Sequence, residues 1–222
     1  MRAGILLTTL LFACGPQPET GTTPEDAGSS SRDAGAQGPY VVEVVEVHYG
    51  EGAGFGQSRM PNVVLGPPQG GGEYRGSLDV VSLGVGGSIT VRLGSDVVDG
   101  DGADFVVFEN AFRVTGSQDF YREPGEVAVS EDGVTFTTFP CDVTAPYPGC
   151  AGVNPVYAPG PDGGISPVDV AQAGGDAFDL SSINISRARF VRITDRSTDP
   201  GTSNQAGFDL DAVAVIHVAT EP

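Results

Sequence analysis

Tryptophan and lysine are absent from this chain, and histidine is represented only by His48 and His217. All 11 basic residues are arginine, set against 29 acidic ones, for a net charge of −18. Such a surface repels phosphate backbones, which excludes nucleic acid as a partner. It suits solubility, cations or a cationic partner, and the plain alternative is a solvated acidic face. Extended helical periodicity is missing as well. Valine-rich runs separated by Gly, Pro, Asn and Asp mark many short strands, the profile of a sandwich or barrel. The glycine-rich stretch 50–76, with "LGPPQGGG", has no Gly-Lys-Ser/Thr to close it, so a nucleotide-phosphate loop is excluded. No G-x-S-x-G elbow occurs, and both histidines sit in strand contexts. Carboxylate pairs could hydrolyse glycosides. Among 29 acids, however, such pairs arise by chance. The chain is therefore not expected to be an enzyme.

The opening "MRAGILLTTLLFACG" does carry a recognisable pattern. Arg2 is a short basic region, and residues 5–13 are an apolar stretch too short to remain as a membrane-spanning helix. Its end, "LFAC", resembles the bacterial lipobox. That resemblance implies that residues 1–13 are a signal peptide, that Cys14 is lipidated, and that the acyl chains anchor the protein to a membrane. Gly15 follows the cysteine, as in lipoproteins sent to the outer membrane of diderm bacteria. Residues 14–39 then hold Pro, Gly, Ser, Thr and acids but no large apolar side chain. They cannot bury enough surface to offset their ordering entropy and are expected to be a disordered tether. The folded domain is expected over residues 40–222.

Within that domain "YVVEVVEVHYG" reads as a first strand with Glu43 and Glu46 exposed. "SLDVVSL" and "GSITVRL" follow, the second placing Ile89, Val91 and Leu93 on one face. "DFVVFEN" is an apolar run between acids and suits a central strand. "GEVAVSEDGVTFTTF" reads as a hairpin around an Asp-Gly turn. "ARFVRIT" and "LDAVAVIHV" bring the total to about nine strands. Residues 140–186 form a long irregular stretch, a length that usually signals function or a covalent pin. With Cys14 lipidated, two cysteines remain in an exported chain, and a Cys141–Cys150 disulfide is expected. Zinc is not, since no further cysteine is available, and a redox pair would need C-x-x-C spacing.

Several of these stretches resemble known domains. "VAVSEDGVTFTTF" and "ARFVRIT" are similar to strands of discoidin-type domains, and "GFDLDAVAV" to the final strand of galactose-binding-like jelly rolls. "SLGVGGSITVRL", "DGDGADFVVFEN", "EVAVSEDGV", "AGGDAFDL", "ARFVRITD" and "GFDLDAVAV" together resemble a set of uncharacterised bacterial cell-surface proteins and lipoproteins, over residues 41–218. The resemblance implies an all-β, antiparallel β-sandwich of jelly-roll topology. It also implies a structural Ca²⁺ at a sheet edge and loops that bind glycans or lipid head groups.

Calcium takes six to eight oxygens from carboxylates, carbonyls and amides, so clustered acids on glycine-rich loops are its sequence signature. "DGDGADFVVFEN" offers Asp99, Asp101, Asp104, Glu109 and Asn110 but fails as an EF-hand, with Ala103 at a ligand position, Asp104 where Gly is needed and Asn110 in place of the last Glu. "AGGDAFDL" offers Asp176 and Asp179. "GFDLDAVAV" offers Asp209 and Asp211, which period-2 geometry puts on one face, opposite Phe208, Leu210 and Ala212. Three environments can hold this pair: a Ca²⁺, an arginine (Arg113, Arg122, Arg187, Arg189 or Arg192) or backbone N–H, or solvent at the rim. The candidate metal ligands are Asp209, Asp211, Glu109, Asn110, Asp99 and Asp104, with Glu109 and Asn110 the first companions of Asp209. Sugars stack on aromatics. Without tryptophan, the candidates for a glycan are Tyr147, Tyr157 and Tyr121, with Tyr74 also in a loop. The expected protein is a monomeric, lipid-anchored recognition module of the cell envelope, binding a glycan or a surface protein. A purely structural role in a surface assembly is the alternative.

Overall fold

The structure, a computed structural model, describes residues 38–160, 162–198 and 205–219. The expected signal peptide, Cys14 and residues 15–37 of the expected tether lie outside the described residues.

The first half of the domain holds β1 (Val41–His48), β2 (Val81–Ser82), β3 (Ser88–Val98), β4 (Phe105–Phe108), β5 (Phe112–Arg113) and β6 (Phe120–Tyr121). The second half holds β7 (Gly125–Ser130), β8 (Thr137–Thr138), a one-turn helix α1 (Val170–Ala173), β9 (Asp176–Phe178), β10 (Arg187–Asp195), β11 (Asp209–Leu210) and β12 (Ala212–Val215). A five-stranded sheet runs β1-β3-β10-β7-β8, and a three-stranded sheet runs β12-β4-β9. All named pairings are antiparallel. The chain is an all-β antiparallel sandwich.

The alternation seen in the sequence builds the core. Ile89 and Val91 of β3 lie across from Ile193 and Val191 of β10, which lie across from Val127 and Val129 of β7. All six are buried and pack with Phe105, Val107, Val213 and Val215 of the smaller sheet. Each such side chain contributes about 1.5–3 kcal/mol by leaving water. The outer face of the smaller sheet is covered too. Val106 and Phe108 of β4 pack with Ala212, Ala214, Val156, Ala158 and Ala173. Burial on both faces explains why "FVVF" is continuously apolar rather than alternating. At the opposite edge, β1 has register shifts near Val41 and Val44 and exposes Glu43 and Glu46, which blunts it against further strand pairing.

The structure has more strands than the nine marked by pattern. β5, β6 and β9 are two or three residues long, too short to show alternation. "SLDVVSL" contributes only Val81–Ser82, which pairs with β11 rather than continuing toward β3. The "EDG" hairpin forms, although its second strand is only Thr137–Thr138. The stretch 140–186 is pinned as expected: Cys141 and Cys150 are disulfide-bonded, with Cα atoms 4.6 Å apart. It also carries α1, β9 and a 3-10 turn at Leu180–Ile183.

Candidate functional site

β4 ends where its apolar run meets Glu109 and Asn110. Because β4 is flanked on both sides, Glu109 is carried into the sandwich and is 2% exposed. Two further acids meet it there. Glu123 lies just before β7, and Asp209 opens β11, both buried. One carboxylate oxygen from each of Glu109, Glu123 and Asp209 lies within 4.8 Å of the other two. Ligand oxygens around a Ca²⁺, at about 2.3–2.6 Å from the ion, span a similar width.

The hydrogen bonds around this trio are incomplete. Glu109 Oε1 accepts the Asp209 N–H at 3.4 Å, and Glu109 Oε2 has no partner among the described residues. The Ser82 hydroxyl donates to Asp209 Oδ1, and Asn110 bonds to the same carboxylate. The Tyr121 hydroxyl donates to Glu123 Oε1 at 3.2 Å. No arginine reaches the trio among the described residues. Arg113 pairs with Glu73, Arg122 donates to the Val153 carbonyl, Arg187 and Arg189 pair with Asp96, and Arg192 bonds to Thr90 and lies over Phe136.

Burial without compensation raises these acids' proton affinity. Burial, then repulsion from Asp209 and Glu123, holds Glu109 well above the usual carboxylate range. Burial and Asp209 push Glu123 up to about 8. Burial pushes Asp209 up to about 6 despite the Ser82 and Asn110 bonds. A fully buried carboxylate oxygen without a donor costs its full desolvation penalty, about 1–3 kcal/mol and more when charged. A cation supplies the missing partner, so the donor set fits a hard, oxygen-seeking ion. The residues that would hold it are Glu109, Glu123 and Asp209, with the Asn110 side chain alongside.

Asp211 is not part of this set. The chain changes sheets between β11 and β12, so Asp209 and Asp211 do not share one continuous strand. Both Asp211 oxygens accept the Gln69 N–H, at 2.9 and 3.1 Å, and burial holds its carboxyl well above the ordinary range. Nor do the two acids sit opposite the apolar residues at a wet rim: Phe208, Asp209, Leu210, Asp211 and Ala212 are all buried. Asp99 and Asp104 form a second acidic group with Asp179, at the start of β4 rather than its end.

Glu123 went unnoticed in the sequence. In "FYREPGEV" it stands in a connection, with no alternation to give its direction. The one signal is a lone acid just ahead of an apolar strand. Of the three candidate tyrosines, Tyr121 belongs to the acid cluster, with its ring 5.4 Å from Phe112. Tyr157 is exposed beside Gly72, and Tyr147 stands in the disulfide-closed loop. The chain matches no protein-family model and no curated protein. No helix among the described residues is long and apolar enough to cross a membrane.

Proposed function

We propose that this protein is a non-catalytic recognition module of the bacterial cell envelope, held by a lipid on Cys14, with a structural Ca²⁺ bound by Glu109, Glu123 and Asp209. The observation that carries the cation is the orphaned, fully buried Glu109 Oε2 inside a trio of converging carboxylates. The ion would join three segments distant in the chain: the end of β4, the approach to β7 and the start of β11. Chain segments fixed to one another in this way are what a binding module needs to hold its loops in place. The lipid anchor rests on the lipobox-like "LFAC" and the tether composition.

Tb³⁺, which replaces Ca²⁺ at oxygen sites, tests this reading. The Tyr121 hydroxyl touches Glu123, so excitation of tyrosine should sensitise terbium emission, and Ca²⁺ should compete it away. Asp209→Asn should abolish the signal. Tyr121→Phe should dim it while leaving Ca²⁺ affinity nearly intact. Emission that survives both Asp209→Asn and Glu109→Gln would place the ion elsewhere and refute the assignment.

A further inference from the structure

The smaller sheet ends differently on its two sides. Beyond β12 the chain closes it: Val215 N–H donates to the Pro39 carbonyl at 2.6 Å, and Tyr40 bridges to Ala214. Peptide groups alternate direction along a strand, so with Val215 turned outward, Ala214 turns inward to Val106 of β4. Val106 is thereby committed to β12. Ala177 of β9, opposite Val106 on the other side, is left with its N–H and C=O turned away from β4. Upstream, that outer side of β9 is occupied, since Gly175 N–H donates to the Pro155 carbonyl at 3.1 Å. From Ala177 onward it is open. Asp179 keeps an extended backbone (φ −117°, ψ 115°), so its N–H turns the same way, and that N–H has no partner among the described residues.

A cavity of about 540 Å³ lies against this edge, with Ala177 and Asp179 among its lining residues. Phe139, Phe178 and Tyr147 give it apolar surface. No arginine or histidine lines it, so its charge is negative. Asp176 is already used: Oδ1 accepts from Asn154 Nδ2 at 2.8 Å and Oδ2 from Val153 N–H at 3.0 Å. Asp179 is not. Its Oδ1 accepts from the Ser181 N–H and hydroxyl, and Oδ2 has no partner among the described residues. Asp99 and Asp104 each bring a carboxylate oxygen within 4.8 Å of one of its own, which makes the potential there more negative.

We propose that the open edge of β9 takes up an extended basic peptide of a partner protein as an added strand, its backbone paired with Ala177 and Asp179 and an arginine or lysine side chain reaching Asp179. The inference rests on the recognition reading above and gives it a partner class. Unpaired edge groups are a template for another strand, and main-chain bonds supply affinity in such complexes while side-chain pockets supply specificity. The cavity selects a basic side chain on two grounds. Its aromatic surface suits a long aliphatic stem or a guanidinium, and its unpaired carboxylate oxygen suits the charged head. The net charge of −18 attracts such a partner from a distance and repels an acidic one. A small organic amine matches the charge but leaves the strand edge unpaired.

Amide chemical shifts of the purified protein in Ca²⁺ should be followed with four probes. They are a capped hexapeptide of alternating arginine and valine, the same peptide with every backbone N–H methylated, a counterpart with glutamate for arginine, and spermidine. The expected result is saturable movement of the Ala177 and Asp179 amides with the first peptide, none with the other two, and weak movement with spermidine. Ala177→Pro removes the outward N–H at an edge position where proline is tolerated, so it should keep the fold and abolish binding. Asp179→Asn keeps the acceptor for Ser181 and should weaken binding of the arginine peptide about tenfold. Equal binding of the methylated peptide would overturn strand addition, and equal binding of the glutamate peptide or of spermidine would overturn the partner class. Movement of the same amides with protein concentration alone would give the edge to a second copy and overturn the proposal. Arginine-peptide shifts confined to other residues would overturn the site but leave the recognition module standing. Silence with all four probes would overturn the proposal, while terbium emission would independently report on the cation.

Discussion

The two ends of β4 each gather three acids, and they do opposite things with them. At its start, Asp104 is fully buried and fully used: Oδ1 accepts from Gly100 N–H at 2.8 Å and lies 2.8 Å from His217 Nδ1, and Oδ2 accepts from Leu180 N–H at 2.7 Å. Asp179 caps the 3-10 turn beside it, and Asp99 is exposed. At the far end, Glu109, Glu123 and Asp209 face one another with an oxygen left over. A count of acids does not separate a loop staple from an ion site. Donor bookkeeping does, because a buried carboxylate with N–H partners needs nothing more, and one without them needs a cation or a proton.

pH should separate the two ends most strongly. In chelator the folded protein holds the Glu123 proton up to about pH 8, while the unfolded chain releases it near 4.5. The folded state therefore binds more protons between those values, and stability falls as pH rises through them. A single group with that shift costs about 3–4 kcal/mol between about pH 5 and pH 8, with Glu109 and Asp209 adding in the same direction. Saturating Ca²⁺ should flatten the slope, since the bound ion favours the ionised acids in the folded state. Denaturant midpoints across that range, with and without Ca²⁺, check it.

Asp104→Ala comes next. It strands the Gly100 and Leu180 N–H groups and His217, and should cost about 3 kcal/mol, the same in Ca²⁺ and in chelator. The smallest effect belongs to Asp99→Asn, an exposed change expected to stay within about 0.5 kcal/mol. A Ca²⁺-dependent loss at either position would move the ion to the wrong end of the strand.

Much of this contrast lay beyond the reach of pattern. "DFVVFEN" announced a central strand, and the alternation of "SITVRL" announced its inward face, because burial on a sheet imposes a period the eye can follow. The pairing of Asp209 with Glu109 and Asn110 was readable in outline, as acids at the mouths of two apolar strands. Asp211 departs from the expected pairing because the period-2 rule holds only within one strand, and the chain changes sheets between β11 and β12. Glu123 and Asp195 were invisible for a related reason. Asp195 is a buried acid at the end of β10 that takes the Phe208 and Gly86 N–H groups. Its role depends on a loop returning to it, which local sequence does not encode. The disulfide was legible because Cys141 and Cys150 are the two cysteines of the folded region, only nine residues apart in the sequence.

An ion at the far end of β4 should show itself in stability. The measurement is thermal unfolding of the protein and of Glu109→Gln, each in chelator and in Ca²⁺ at 100 times its dissociation constant. Binding at that level adds about 2.7 kcal/mol, which raises the midpoint of a domain this size by about 5–10 °C. The rise is expected in the unmodified protein and should disappear in Glu109→Gln, whose neutral amide mimics the protonated acid and leaves the chelator midpoint nearly unchanged. An unmodified protein whose midpoint ignores Ca²⁺, or a Glu109→Gln variant that still responds fully, would contradict it.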